Sequence, residues 1–309
     1  CMRKVIICSP RGFCAGVIRA VQTVERALEK WGAPIYVKHE IVHNRHVVDK
    51  LRAKGAIFIE DLQEVPCNSR VIYSAHGVPP SVREEAKERG LITIDATCGL
   101  VTKIHSAVKM YARRGYLIIL IGKRKHVEVI GICGEAPDKI TVVENIAEVK
   151  ALTFSTKDLL FYVTQTTLSM DDSADMIAAL KARYPQIITL PSSSICYATQ
   201  NRQSALRNIL PKVEFVYVIG DPKSSNSNQL KAVAARRGVV ARLVNNPEEI
   251  TDEILQYSGN IGVTAGASTP EDVVQACLTK LQKLIPTLVV ETDLFVEEDT
   301  IFQLPKELQ

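Results

Sequence analysis

No Cys-x-x-Cys pair occurs in the 309 residues, although the chain holds eight cysteines. That absence excludes a zinc ribbon, a thioredoxin motif and the clustered ligand run of bacterial ferredoxins. The close-set cysteine triplet of radical enzymes that use S-adenosylmethionine is missing too. No apolar run approaches the roughly 18 to 20 residues that cross a bilayer, so no membrane partner is expected. The opening around RKVIIC is basic but carries only a short apolar stretch, and reads as a first strand rather than a secretion signal. There is no basic tract interleaved with aromatics, and a net charge of +4 is too small to argue for nucleic acid. Nucleotide motifs fail as well. GKRK at 122–125 lacks the spacing and hydroxyl of a P-loop, and no G-x-G-x-x-G follows a strand.

What is present is the balance of a soluble globular protein, with 46% hydrophobic and 23% charged residues over a length that suits two or three domains of ordinary size, or one large one. Many cysteines without a secretion signal predict reduced thiols in the cytoplasm. Any metal they hold must draw its ligands from distant parts of the chain.

A repeat organises the sequence. Cys14 is followed by AGVIRAVQTVERALEKWG, Cys98 by GLVTKIHSAVKMYARRG and Cys196 by YATQNRQSALRNIL, each with the apolar spacing of an amphipathic helix. Strand-like runs follow in matching order: PIYVKH, YLIILIG and FVYVIG; then AIFIED, ITVVEN and VARLVNN; then VIYSAHG, LFYVTQTT and IGVTAGAS. A helix comes next in each unit, and LITIDAT and QIITLPSSSI lead into the following cysteine. RKVIICSPRGF supplies the equivalent strand before Cys14, so the pattern closes in a circle. Alternating strands and helices predict an α/β protein with parallel sheets. The expected architecture is three similar units, 15–97, 98–195, and 196–280 with 1–14, about a pseudo-threefold axis enclosing a central cavity. Residues 281–309 form a tail wrapping the body.

Polar residues recur at matching places. His43 lies 29 residues after Cys14, His126 lies 28 after Cys98, and Ser224 and Ser225 lie 28 and 29 after Cys196. A second, looser series places His76, Thr166 and Ser268 at 62, 68 and 72 residues after the same cysteines. All sit just past a predicted strand, where open α/β folds bind ligands.

Three thiolates meeting at one point suit a soft metal or an iron–sulfur cluster with one iron left open. Three cysteines and a water also describe a zinc site, and that alternative stays open here. A single cysteine is most often a small buried hydrophobe. Cys8, Cys133 and Cys277 are left structural, Cys67 is an expected loop thiol, and Cys1 has no assigned role. Cys14, Cys98 and Cys196 differ by sharing a helix mouth, where the dipole favours thiolate. His43, His76 and His126 offer donors to an anion. The run Ser224-Ser225-Asn226-Ser227-Asn228 before QLKAVAARRG offers hydroxyls, amides and helix-terminal N–H groups for phosphate. An ordinary N-cap needs only one such residue. Glu128, two residues from His126, is the carboxylate placed for a proton relay, with Thr166 orienting a substrate hydroxyl.

PRGFCAGV at 10–17, HEIVHNR at 39–45, SAHGV at 74–78, DATC at 95–98, TQTTLS at 164–169, ICYATQNRQ at 195–203, SSNSN at 224–228 and VTAGAS at 263–268 closely resemble the LytB (IspH) family of hydroxymethylbutenyl diphosphate reductases, over essentially the whole chain. The resemblance implies reductive removal of the hydroxyl of an allylic diphosphate, yielding isopentenyl and dimethylallyl diphosphate. It implies one [4Fe-4S] cluster on Cys14, Cys98 and Cys196 with an open apical iron. By family role Glu128 delivers a proton with help from Thr166, while His43, His76, His126, Ser224, Ser225, Asn226 and Ser268 hold the diphosphate. Ferredoxin or flavodoxin is the implied electron donor. Two departures stand out: Val127 where the family usually has proline, after an unusual KRK, and Gly99 where proline usually follows the second cysteine. A zinc or mononuclear-iron hydrolase and a non-catalytic cluster-binding sensor are the competing readings.

Overall fold

The computed structural model describes residues 2–309; Cys1 lies outside them. From the amino end, β1 (Lys4–Ser9) leads through the Cys14 turn into α1 (Ala15–Trp31). The first passage continues with β2 (Ile35–Lys38), α2 (Arg45–Ala53), β3 (Ala56–Ile59), β4 (Arg70–Tyr73), α3 (Pro80–Glu88) and β5 (Ile92–Asp95). The second runs α4 (Gly99–Arg113), β6 (Leu117–Ile121), α5 (Val127–Cys133), β7 (Ile140–Val143), α6 (Ile146–Ala151), β8 (Leu160–Thr164), α7 (Met170–Arg183) and β9 (Ile188–Thr189). The third runs α8 (Tyr197–Ile209), β10 (Phe215–Ile219), α9 (Ser225–Arg236), β11 (Val240–Val244), β12 (Ile261–Ala265) and α10 (Glu271–Leu284), and β13 (Val289–Leu294) follows.

These strands make three sheets, ordered β3-β2-β4-β5, β7-β6-β8-β9 and β11-β10-β12-β1-β13. Every pairing is parallel. The same order recurs in each sheet, and β1 takes the fourth place in the sheet of the third passage, the circular closure that the sequence pattern predicts. The tail adds β13 as a fifth strand, paired with β1 from Lys4 opposite Val289 to Ser9 opposite Leu294.

Inner strands β8, β10 and β12 are buried along their whole length. They read as continuous apolar runs because helices cover both faces of such a sheet. In the third sheet, Val5, Phe215 and Tyr217 pack on Val274 and Leu281 of α10, while Ile6, Val216 and Val218 pack on Leu206 of α8 and Leu230 of α9. The second sheet does the same with Met176 and Leu180 of α7 on one face and Ile104 and Val108 of α4 on the other. Packing divides the chain into two compact units. One comprises residues up to Ile18, His43–Asp49 and Tyr197–Phe302 and contains the third sheet. The other comprises Arg19–Val42, Lys50–Cys196 and Gln303–Gln309 and contains the first two. No helix among the described residues is long and apolar enough to cross a membrane.

Candidate active site

In each sheet the first and third strands of a passage are neighbours, with the second strand outside the first. Their crossovers therefore leave in opposite directions, which opens a crevice beyond the strands' carboxyl ends. The residues expected from the spacing lie there: His43 after β2 and His76 after β4, His126 after β6 and Thr166 after β8, Ser224 after β10 and Ser268 after β12. The three cysteines follow the fourth strands β1, β5 and β9, and each stands directly before a helix. One backbone bond recurs at all three. Cys98 N–H donates to the Ala75 carbonyl at 3.0 Å, Cys196 N–H to Thr166 at 3.1 Å, and Cys14 N–H to Ala267 at 3.3 Å. Three turns of different sequence are thus each fastened to the loop after a third strand. The second spacing series scatters because the links between second and third strands differ. A short 3₁₀ turn lies between β3 and β4, α6 between β7 and β8, and two 3₁₀ turns between β11 and β12.

The larger unit holds His76, Cys98, His126, Glu128, Thr166 and Cys196. Glu128, on the first turn of α5, is 2% exposed and accepts two bonds from Thr166: backbone N–H to Oε1 at 2.8 Å and Oγ1–H to Oε2 at 2.8 Å. Burial raises its carboxyl to about 7, against the lowering effect of those two bonds. His126 caps the same helix, its Nδ1 accepting the Glu128 N–H at 3.1 Å. With Nδ1 an acceptor, the ring proton belongs on Nε2, which is then a donor. His76 packs edge-on to His126 with centroids 5.9 Å apart, and its Nδ1 lies 3.1 Å from Ser74 Oγ. Gln165, fully buried, fixes the loops to each other: its Oε1 accepts the Lys123 N–H at 3.0 Å and its Nε2 donates to Thr167 Oγ1 at 3.2 Å.

The other unit holds Cys14, His43, Ser224, Ser225, Asn226 and Ser268. Helix α9 begins at Ser225, earlier than the sequence suggests, so most of the polar run is its first turn. Ser224 is its N-cap, accepting from Ser227 N–H at 3.2 Å. The cap reading therefore holds for Ser224, and the remaining residues present their groups at a helix N-terminus. Asn226 Oδ1 accepts from Ala267 N–H at 2.9 Å and its Nδ2 donates to Thr199 at 3.1 Å. Ser268 Oγ donates to the His43 carbonyl at 3.0 Å, which joins the two loops. Behind them, buried Asp221 accepts from Arg45 N–H and Lys223 N–H, both at 2.9 Å. A Cβ at Gly220 or Gly266 would strike Ser227 Oγ, so only glycine lets the strand ends approach the cap.

Residues 5–282 match the family model described as LytB protein. The chain belongs to the LytB family. It is 84% identical, over 99% of its length and the whole of the relative's, to a 4-hydroxy-3-methylbut-2-enyl diphosphate reductase of Chlamydia trachomatis serovar D. It is 68% identical over its full length to the protein of that name from Chlamydia felis. Among solved structures, the E-1-hydroxy-2-methyl-but-2-enyl-4-diphosphate reductase of Plasmodium falciparum superposes with a TM-score of 0.96 at 46% identity, covering 100% of this chain and 97% of that one. A second, described as the terminal enzyme of the non-mevalonate pathway, gives 0.64 at 29% identity over 91% of this chain and all of that one.

LytB proteins are iron–sulfur enzymes. The donor set here fits such a group: Cys14, Cys98 and Cys196 are thiols, partly exposed, each at a helix mouth. Cys8 and Cys277 are buried in the core, where burial pushes both thiols up to about 12. Cys67 is exposed. Sequence reasoning missed Gln165, Asp221 and Arg202. Arg202 had a signal. It shares the helical face of buried Ala198, Ala205 and Leu206, a place where a cation needs a dedicated partner.

Proposed function

We propose that this LytB chain reduces (E)-4-hydroxy-3-methylbut-2-enyl diphosphate to isopentenyl diphosphate and dimethylallyl diphosphate, the last step of the non-mevalonate isoprenoid route. Two electrons and two protons are taken up, and the allylic hydroxyl leaves as water. Thr166 is the observation that carries the reading. Its carbonyl holds the Cys196 turn at 3.1 Å, while its N–H and hydroxyl hold the buried Glu128 carboxyl at 2.8 Å each. One residue thus joins a proton donor to a thiol turn.

In this proposal the units 15–97, 98–195, and 196–280 with 1–14 bring Cys14, Cys98 and Cys196 together on the pseudo-threefold axis, with 281–309 as a wrapping tail. The thiols hold one [4Fe-4S] cluster with an open apical iron, which when bound supplies electrons and a Lewis-acidic position. Glu128 is half-protonated near neutral pH; ionised, its Oε2 accepts the Thr166 hydroxyl at 2.8 Å, and once a proton is taken up on Oε2 that contact reverses, Oε2–H donating to Thr166 Oγ1. The hydroxyl proton of Thr166 is then directed at the departing oxygen. Nε2–H of His126 donates to the diphosphate, as do His43 and His76. Ser224, Ser225, Asn226 and Ser268 take the anion at the N-terminus of α9. Asn226 has one Nδ2 hydrogen engaged by Thr199 and a second for the ligand. Electrons come singly from a ferredoxin or flavodoxin, and the enzyme works in the cytoplasm.

Anaerobic assay with this diphosphate and reduced methyl viologen tests the reading. Turnover by a brown protein that dithionite bleaches is expected. A colourless, zinc-loaded protein, or a cluster-bearing one without turnover, would overturn it. Glu128→Gln is expected to keep the colour and lose turnover.

A further inference from the structure

Arg202 is the largest side chain buried to within 2% of complete, and all three of its nitrogens donate. Nε and Nη2 reach the Gly12 carbonyl at 2.9 and 2.7 Å, and Nη2 also reaches the Phe13 carbonyl at 3.3 Å. Nη1 reaches Ala198 O at 3.1 Å and both carboxylate oxygens of Glu298 at 3.0 and 3.1 Å. The guanidinium thus grips the two carbonyls that precede Cys14, and the tail's Glu298 holds the guanidinium. The turn is fixed from its other side by Gly12 N–H to Ala265 O at 3.0 Å. Gly12 has φ +65°, and a Cβ there would sit 2.9 Å from Thr269 O.

The Cys98 turn is held in the same manner. Arg19, five residues after Cys14 on α1, donates from Nη1 to Thr97 O at 3.2 Å, beside Cys98. Its Nε donates to the tail carbonyl of Gln303 at 2.7 Å. Lys103, five residues after Cys98 on α4, donates to Ser192 Oγ at 2.8 Å in the segment leading to Cys196. A cation on the helix behind each cysteine therefore reaches the approach to the next cysteine in cyclic order, and the tail completes two of the three grips.

We propose that Arg202 and Arg19 are positioning residues for the Cys14 and Cys98 turns, and that the tail from Glu298 to Gln303 is the latch that holds both arginines in place. The inference rests on the ligand reading of those cysteines. Lysine cannot replace either arginine, because one ammonium cannot span, in a plane, the Gly12 and Phe13 carbonyls and the Glu298 carboxylate held by Arg202, nor the Thr97 and Gln303 carbonyls on either side of Arg19.

The test uses the full-length chain with Arg202→Lys, Glu298→Gln and Arg19→Lys, and Lys212→Ala as control. Lys212 also pairs with the tail, at Asp293 3.0 Å away, but lies on no cysteine turn. In the metal-free protein, alkylation of each cysteine is followed by mass spectrometry. Arg202→Lys and Glu298→Gln are expected to accelerate Cys14 severalfold and leave Cys196 unchanged, while Arg19→Lys accelerates Cys98. In the anaerobically loaded protein, Arg202→Lys should shorten iron retention against a chelator by roughly tenfold and shift the cluster's electron paramagnetic resonance spectrum. Equal acceleration at all cysteines, or a lowered Tm with unchanged alkylation, spectrum and iron retention, would overturn the latch. Glu298→Gln leaves Arg202 in place and decides the matter if Arg202→Lys does not fold. Cys14→Ser separates the two ideas. A cluster unaltered in that variant sinks the ligand reading, whereas the alkylation pattern of the metal-free protein judges the latch alone.

Discussion

Glu128 is the side chain on which the proposed chemistry turns, and its environment makes two measurable demands. Its carboxyl is raised from 4.5 to about 7 by burial, so between those values the folded chain holds a proton that the unfolded chain has released. Stability must therefore fall as pH rises through that window, by on the order of 3 kcal/mol once it is crossed. Urea denaturation of the metal-free chain at pH 5 and pH 7.5 should show this loss in the parent and not in Glu128→Gln. An equal pH dependence in both would place the carboxyl elsewhere. The hydroxyl of Thr166 lowers the same pKa, so Thr166→Val should move it upward and shift the pH–rate profile to higher pH. Loss of the relay should also cost roughly a hundredfold in kcat, read from steady-state turnover. The sequence offered Glu128 and Thr166 as candidates through family likeness and spacing. The two 2.8 Å bonds between residues 38 positions apart come only from the neighbouring places of β6 and β8 in one sheet.

At the scale of elements, the turns into helices carry the site, and their sequence departures can be judged by geometry. Gly99 opens α4 behind Cys98, whose φ −57° and ψ 134° suit a residue before proline. A Cβ at Gly99 meets nothing within 4 Å, and a first-turn N–H has no partner inside its own helix. Gly99→Pro should therefore raise stability by about 0.4–1 kcal/mol, seen as a higher Tm; a lower one would show that this N–H is needed. The family's usual proline is thus compatible with this backbone, and its absence leaves the Cys98 turn intact. Strands and the helices behind the cysteines were legible because their apolar periods are long and clean. The start of α9 was not, because Ser225-Asn226-Ser227-Asn228 reads as loop chemistry until Ser224 is seen to cap it.

For the molecule as a whole, the proposed ligand set predicts that loading the thiols couples binding to folding, because three thiols so far apart in sequence could form one site only in the folded chain. Removing iron is expected to lower Tm in calorimetry. The difference between loaded and stripped protein should collapse alike in Cys14→Ser, Cys98→Ser and Cys196→Ser, and persist in Cys277→Ser. A cysteine among the three whose loss leaves that difference intact is not a ligand. The amino-acid sequence by itself determined the threefold α/β rhythm, the circular role of β1 and the family, because periodicity and motif order are local properties of the chain. Only the tertiary structure decided that β13 joins the third sheet, that Gln165 and Asp221 brace the loops, and that Glu298 holds Arg202 against the Cys14 turn. Those contacts join residues far apart in the chain through single buried polar groups. Their partners are fixed by where the sheets bring loops together, and no period in the sequence records that.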